Sequence, residues 1–183
     1  MIELIVGGVR SGKSGYALRK AEAGNGKLYF IATAQAKDRE MQDRIKLHQQ
    51  ERGSRWHLIE EPEALSKLAG QFASDDIVLV DCLTLWLSNW LCSNNANHWI
   101  IEKEAFIEGL QQSPANWLLV SSEVGMGVIP MGDLSRLFVD ECGALHQQLA
   151  RIADRVTLVM FGLPQTLKPA ANQERPVVNA KDN

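Results

Sequence analysis

Short apolar runs along the chain alternate with longer stretches in which apolar residues recur every three to four positions. The first pattern is typical of strands buried on both faces, and the second of amphipathic helices. Six strands are predicted: Glu3–Val6, Leu28–Thr33, His57–Glu60, Ile77–Val80, Trp117–Ser121 and Val156–Phe161. Five helices are predicted between them: Lys13–Ala23, Arg39–Glu51, Glu63–Phe72, Trp99–Leu110 and Ser135–Ala153. A further helix-like stretch begins near Thr84.

This alternation favours an α/β fold with a mostly parallel sheet and helices on both faces. A length of 183 residues with 45% hydrophobic content is enough for one domain with a full core. We expect that domain to span residues 1–168. The segment Pro169–Asn183 has little apolar content, and we expect a poorly ordered tail there.

The first predicted strand leads directly into a glycine-rich loop. The chain reads G-x-x-x-x-G-K-S immediately after Leu4-Ile5-Val6, and a helix-forming stretch follows; the motif comprises Gly7, Gly8, Val9, Arg10, Ser11, Gly12, Lys13 and Ser14. Glycines let the backbone N–H groups and the helix N-terminus point at an anion. Lys13 then reaches the β- and γ-phosphates of a nucleoside triphosphate, and the Ser14 hydroxyl is placed to ligate Mg²⁺.

A carboxylate ends another predicted strand. Asp81 follows the apolar run Ile77–Val80. An acid at the carboxyl end of a buried strand is where enzymes with such a loop hold the second side of the Mg²⁺ shell. An acid at this position also caps whatever follows, but with the loop present the metal role is favoured.

One face of the predicted helix Arg39–Glu51 combines apolar and cationic residues: Met41, Ile45, His48 and Arg52, with Arg44 at its edge. Arginines one turn away disfavour a protonated ring, which keeps His48 neutral and nucleophilic. The same arginines form a pocket suited to phosphates. These residues alone leave open whether His48 acts as a base or nucleophile, or is a hydrogen-bonded core histidine.

The segment Ser121–Gly127 places Glu123 and two glycines after the predicted strand Trp117–Ser121. The segment either lines a ligand crevice or forms a flexible loop with a solvated carboxylate. The sequence alone does not favour one hypothesis over the other. No partner spacing assigns a role to His57, His98 or His146.

Composition narrows the function classes. A net charge of −3 argues against nucleic-acid binding. The apolar stretches are too short to span a membrane, and the chain enters a strand at once, which leaves no room for a signal peptide. Cys82, Cys92 and Cys142 match no metal spacing and are expected to be reduced thiols. These features predict a cytoplasmic protein.

Taken together in order, these blocks resemble the adenosylcobinamide kinase / adenosylcobinamide-phosphate guanylyltransferase family of cobalamin biosynthesis. The resemblance runs from Ile5 to about Lys168. Its blocks are Gly7–Ser14, Ile31–Gln35, Arg44-Ile45-x-x-His48-x-x-x-Arg52, Trp56 with Ile59–Pro62, Asp81–Asn89, Glu123–Pro130, and Gly162–Pro164 with Lys168.

The resemblance implies a P-loop, RecA-like domain that assembles as a homotrimer and has two activities. One phosphorylates adenosylcobinamide with ATP or GTP, and the other transfers GMP from GTP to the product through a guanylylated histidine, which falls on His48. The implied nucleotide contacts are Gly7–Ser14, Thr33, Ala34, Gln35, Gln49, Gln50, Glu51, Arg52, Glu60 and Asp81. Mg²⁺ is the implied cofactor, held by Ser14 and Asp81, and Lys13 is implied to be catalytic.

Two segments depart from the family pattern. Met131-Gly132-Asp133 stands where a Pro-Glu-Asn-like turn is usual, and His146-Gln147 stands where an Asn-Gln pair is common. Both departures lie in the segment expected to contact the corrinoid or another subunit. Two other classes remain as alternatives: a P-loop ATPase acting on a macromolecular partner, and a simple small-molecule kinase.

Overall fold

The computed structural model describes residues 1–35, 55–93 and 96–169. The strands are β1 (Ile2–Gly7), β2 (Leu28–Ala32), β3 (Trp56–Glu60), β4 (Ile77–Asp81), β5 (Asn116–Ser122), β6 (Arg155–Met160) and β7 (Leu163–Lys168). The helices are α1 (Lys13–Glu22), α2 (Leu83–Leu91), α3 (Trp99–Gln112) and α4 (Asp133–Ile152), and short 3₁₀ turns lie at Leu65–Lys67 and Ala96–His98.

Within the described ranges, the strands form a seven-stranded sheet in the order β3-β2-β4-β5-β1-β6-β7. All neighbouring pairs are parallel except β6 with β7. The strand β5 therefore lies between β1 and β4. In this register Gly7 pairs with Ser122, and Asp81 pairs with Val120, so the carboxyl ends of the three central strands meet at one edge.

Apolar side chains cover both faces of the sheet. One cluster packs α2, α3, α4 and the turn at Leu65–Lys67 against the sheet, and it includes Trp86, Phe106 and Trp117. The smaller cluster packs α1 against the opposite face through Ala17 and other apolar residues. The predicted α/β class, with helices on both faces of a mostly parallel sheet, is confirmed.

The six predicted strands are confirmed, and each differs from the observed strand by at most one residue at either end. The predicted helices that correspond to α1, α3 and α4 are confirmed to within two residues. The predicted helix Arg39–Glu51 and residues 170–183 of the expected tail lie outside the described residues. The three cysteines are free thiols, as expected.

The predicted helix Glu63–Phe72 is wrong, because only the turn Leu65–Lys67 forms there. The apolar residues have helical spacing, but other elements take the backbone groups that a helix would pair. The Glu63 carbonyl accepts hydrogen bonds from the indoles of Trp86 and Trp90, at 2.7 and 2.9 Å. The Ser66 N–H donates to Glu102 Oε1 at 2.8 Å. Tertiary hydrogen bonds therefore replace the helical ladder.

The sequence pattern missed β7. This edge strand is almost entirely exposed and contains Pro164, so it lacks the apolar signal of the other strands. It pairs with β6 through a tight turn in which Phe161 and Gly162 have φ of 55° and 80°. Two successive positive φ values are typical of a two-residue hairpin turn.

We predict that Phe106→Ala lowers the free energy of unfolding by about 3–5 kcal/mol. The Phe106 side chain is fully buried, with its ring centroid 5.2 Å from that of Trp86 and 6.1 Å from that of Trp117. Urea unfolding measures the change, with Ile101→Ala as the control, since Ile101 lies on the same helix but is 65% exposed. Equal losses in the two variants would contradict this account of the core.

Candidate active site

The glycine-rich loop connects β1 to α1 in a conformation that requires glycine. Gly12 has φ of 93° at the N-cap of α1, where a side chain would be strained. A Cβ on Gly12 would also lie 3.1 Å from Gly162 Cα, and one on Gly7 would lie 2.3 Å from the Val159 carbonyl oxygen. The two glycines therefore allow the loop to pack tightly against the end of β6 and the turn that follows it.

Main-chain hydrogen bonds fix the loop to the sheet. The Gly162 N–H donates to the Ser11 carbonyl at 2.8 Å, and the Glu123 N–H donates to the Gly7 carbonyl at 2.9 Å. Within the loop, the Ser11 N–H donates to the Gly8 carbonyl at 3.2 Å. The loop is thus held on one side by the β6–β7 turn and on the other by the residue that follows β5.

Lys13 begins α1 and is buried, with 8% of its surface exposed. Its Nζ donates to the Gly8 carbonyl oxygen at 3.2 Å, so the side chain lies back over the loop. The next residue, Ser14, is half-buried in the first turn of the same helix. This helix N-terminus and ammonium group form an anion-binding arrangement.

Thr33 fixes the end of β4. Its Oγ1 donates to the Cys82 carbonyl at 2.7 Å and accepts from the Cys82 N–H at 2.9 Å. The Asn89 side chain holds the Thr33 carbonyl at 2.8 Å and the Pro62 carbonyl at 3.0 Å. The buried Thr33 hydroxyl is therefore occupied in orienting the segment that follows Asp81.

Cys82, which follows β4, has a perturbed thiol pKa. Burial raises the pKa of the Cys82 thiol to about 11; the Asp81 carboxylate raises it too, whereas Lys13 lowers it. Asp81 is half-buried at the end of β4, which is separated from β1 by β5 alone.

Other residues from the sequence prediction are spread along the same edge of the sheet. Ala34 and Gln35 follow β2 and are half-buried, and Glu60 is exposed at the end of β3. Four strand spacings separate β3 from β1. His48 and the run Gln49–Arg52 lie outside the described residues.

Sequence reasoning missed a cluster beside the loop. It gave His146 no partner, but His146 Nδ1 lies 3.4 Å from Glu123 Oε2, and Nε2 lies 2.7 Å from Ser121 Oγ and 3.6 Å from Cys142 Sγ. The spacing of Cys142 and His146, one turn apart on α4, was a signal that the sequence offered. The contact with the end of β5 could not be read from it. Glu123 is therefore held by neighbours and is not a freely solvated loop residue.

Burial lowers the pKa of His146 below its usual value, although the nearby Glu123 carboxylate acts in the opposite direction. The ring is therefore neutral near pH 7. Burial likewise raises the pKa of Cys142 to about 12, with the Glu123 charge adding to the effect. The cluster thus holds its cysteine as a thiol and its histidine as a neutral hydrogen-bonding group.

The profile of the cobinamide kinase / cobinamide phosphate guanyltransferase family matches residues 3–167. The chain belongs to this family. It is 46% identical over 169 residues to the bifunctional adenosylcobalamin biosynthesis protein CobP of Pseudomonas aeruginosa, with 92% of this chain and 98% of that protein covered. It is 35% identical over 185 residues to the bifunctional adenosylcobalamin biosynthesis protein CobU of Escherichia coli, with 92% and 100% covered.

A solved structure from Pyrococcus horikoshii OT3 has the same fold, with a TM-score of 0.51 at 9% identity, and the match covers 97% of this chain and 93% of that one. That likeness concerns the fold alone. The family membership predicted from the ordered motifs is confirmed, and the protein is an enzyme of this kinase and guanyltransferase family. No helix among the described residues is long and apolar enough to cross a membrane.

We predict that the wild-type protein loses stability on acidification more steeply than His146→Asn does. The folded-state pKa of His146 lies below its ordinary value of 6.5, so the unfolded state binds the proton more readily. Its contribution is fully present above pH 6.5 and declines as the pH falls from there towards the folded pKa. The extra slope is at most about 1.4 kcal/mol per pH unit.

The measurement is the free energy of unfolding in urea at several values between about pH 7.5 and 5.5, a range chosen around the usual histidine pKa. The other titrating groups are present in both proteins, so the difference between the wild-type and His146→Asn slopes isolates the contribution of His146. A wild-type slope equal to or shallower than that of the variant would contradict the neutral, buried histidine.

Proposed function

We propose that this protein catalyses two successive steps on adenosylcobinamide. It phosphorylates the aminopropanol hydroxyl with ATP or GTP, then transfers GMP from GTP to the resulting phosphate, giving adenosylcobinamide-GDP and pyrophosphate. The observation that carries the proposal is the loop of Gly7–Ser14, whose geometry suits a triphosphate, in a chain matched to the family from residue 3 to 167. The small-molecule substrates, adenosylcobinamide and its phosphate, are those that the resemblance to the family implies.

The loop residues supply the phosphate site. The backbone N–H groups at Gly12, Lys13 and Ser14 lie at the N-terminus of α1, where an anion is favoured. The buried Ser11 Oγ has no hydrogen-bond partner among the described residues, and a phosphate oxygen would provide one. Lys13 exchanges its bond to the Gly8 carbonyl for bonds to phosphate oxygens and stabilises the charge that develops during transfer.

Ser14 and Asp81 fit Mg²⁺ as the metal cofactor. Mg²⁺ prefers oxygen donors and takes one or two from the protein together with phosphate oxygens and water. A hydroxyl and a carboxylate match that set, and the described residues contain no larger cluster of His, Cys, Asp and Glu that would indicate a different metal. When bound, the ion neutralises charge on the β- and γ-phosphate oxygens.

His48 carries the guanylyl group in this proposal. Its neutral nitrogen attacks the α-phosphorus of GTP, a P–N bond forms, the bond from the α-phosphorus to the bridging oxygen breaks, and pyrophosphate leaves. A phosphate oxygen of cobinamide phosphate then displaces the histidine and takes the GMP. Arg52 stabilises the phosphate charge. The remaining nucleotide contacts come from Gln49, Gln50, Glu51, Glu60, Ala34 and Gln35, and the buried Thr33 supports them by orienting the segment after Asp81.

Assembly as a homotrimer and a cytoplasmic location complete the proposal. Large apolar side chains are exposed on the segment between β5 and α4 and in the first turn of α4. They are Met126, Val128, Ile129, Met131 and Leu134. Several exposed apolar side chains on one segment are typical of a contact with another chain or a ligand. This surface supports an interface between subunits.

We predict that His48→Ala abolishes covalent labelling by α-labelled GTP. The variant has no side-chain nitrogen that could form the P–N bond. In the wild type, the label should survive denaturation and show the acid-labile, base-stable behaviour of a phosphoramidate. Kinase activity should be retained. His98→Ala is the control, since His98 is exposed, and it should label normally. Persistence of an acid-labile label in His48→Ala would exclude His48 as the nucleophile.

We predict that Lys13→Ala lowers the turnover of both reactions by about 10²–10³-fold, which is typical of removing one group that stabilises transition-state charge. Steady-state rates of cobinamide phosphorylation and of guanylylation measure the loss. Lys27→Ala, which removes an exposed lysine, is the control for the change in net charge. Normal kinase turnover in Lys13→Ala would remove the loop from the mechanism.

A further inference from the structure

Glu123 and Glu60 both stand at the carboxyl edge of the sheet, and their strands place them at very different distances from the loop. Glu123 directly follows β5, which is the neighbour of β1. Glu60 ends β3, four strands from β1. With strands spaced about 4.8 Å apart, these offsets are about 5 Å and about 19 Å along the sheet. Of the two, only Glu123 lies near the loop.

Hydrogen bonds tie Glu123 to the loop and fix its side chain. Its main-chain N–H donates to the carbonyl of Gly7, the first loop residue, at 2.9 Å. Its Oε1 accepts from the Gly125 N–H at 2.6 Å, and its Oε2 lies 3.4 Å from His146 Nδ1. A carboxylate has about four lone-pair sites, so both oxygens keep the capacity to accept a further proton. The side chain is partly exposed and accessible to a substrate.

We propose that Glu123 accepts the proton of the substrate hydroxyl in the kinase step and that His146 holds its carboxylate in position. This inference rests on the proposed kinase activity. The hydroxyl oxygen forms a bond to the γ-phosphorus, and the bond from the γ-phosphorus to the β,γ-bridging oxygen breaks. The nucleoside diphosphate leaves with that electron pair, and the hydroxyl proton passes to a Glu123 carboxylate oxygen.

His146 is a positioning residue, because it acts through Glu123. A neutral ring donates from one nitrogen and accepts at the other. With Nδ1–H directed at Glu123 Oε2, Nε2 accepts from the Ser121 hydroxyl at 2.7 Å. Ser121 is fully buried in β5, so it anchors the ring to the sheet next to the loop strand. The 3.4 Å contact is long, as such contacts often are before substrate binds.

The first experiment measures cobinamide phosphorylation and α-labelled GTP labelling in Glu123→Gln. The amide cannot accept the proton, so we expect kinase kcat to fall by about 10²–10⁴-fold, while nucleotide KM and His48 labelling stay within about threefold. Glu104→Gln makes the same charge change at an exposed site on α3 and should match wild type. Glu60→Gln should change nucleotide KM more than kcat.

A kinase kcat near wild type in Glu123→Gln would overturn the inference, and so would a collapse of kcat in Glu60→Gln alone. Loss of labelling together with kinase activity in Glu123→Gln would also overturn it, because the carboxylate would then support nucleotide binding or folding. If the wild type labels with GTP but never phosphorylates cobinamide, the proposed kinase function fails, and this inference fails with it.

The second experiment compares two amides at position 146. The Asn side-chain nitrogen occupies the place of His Nδ1, whereas the Gln nitrogen occupies the place of Nε2. His146→Asn keeps the donor to Glu123, so kinase kcat should stay within about threefold. His146→Gln loses that donor, so kcat should fall by about 10–100-fold with nucleotide KM unchanged. Equal kcat values in the two variants at matched melting temperature would reduce His146 to a packing residue.

Discussion

The parallel pairing of β1, β5 and β4 is the constraint on which the rest of this site depends. Strands in a sheet are held about 4.8 Å apart, and parallel strands end at the same edge. Because Gly7 pairs with Ser122 and Asp81 pairs with Val120, the loop, Glu123 and Asp81 converge without any contact between their side chains being needed. The distance of Glu60 from the loop follows from the same strand order.

Buried polar bonds then refine what the sheet brings together. The Thr33 hydroxyl satisfies both backbone groups of Cys82, and the Thr84 hydroxyl accepts the Ser122 N–H at 3.0 Å. These bonds connect the ends of β2, β4 and β5, whose chains would otherwise leave the sheet independently. A buried polar group is costly unless it is paired, so these hydroxyls help to hold the three strand ends together.

The sequence predicted the elements with a strong local signal and failed where distant groups decided the outcome. Apolar runs such as Ile77–Val80 identified the central strands, because a strand that is buried on both faces is apolar at successive positions. The segment Glu63–Phe72 has helical spacing, yet indoles from α2 take the Glu63 carbonyl. The strand β7 has no apolar pattern, because its exposed edge position needs none.

By itself, the sequence determined the glycine-rich loop, the carboxylate at the end of β4, the fold class and, through the order of its motifs, the family. Each of these depends on residues that are close in the chain or on their order along it. Only the tertiary structure decided that Glu123 neighbours the loop, that Glu60 lies four strands away and that His146 reaches the end of β5. The strand order and the packing of α4 produce these distances, and both depend on contacts between residues far apart in the sequence.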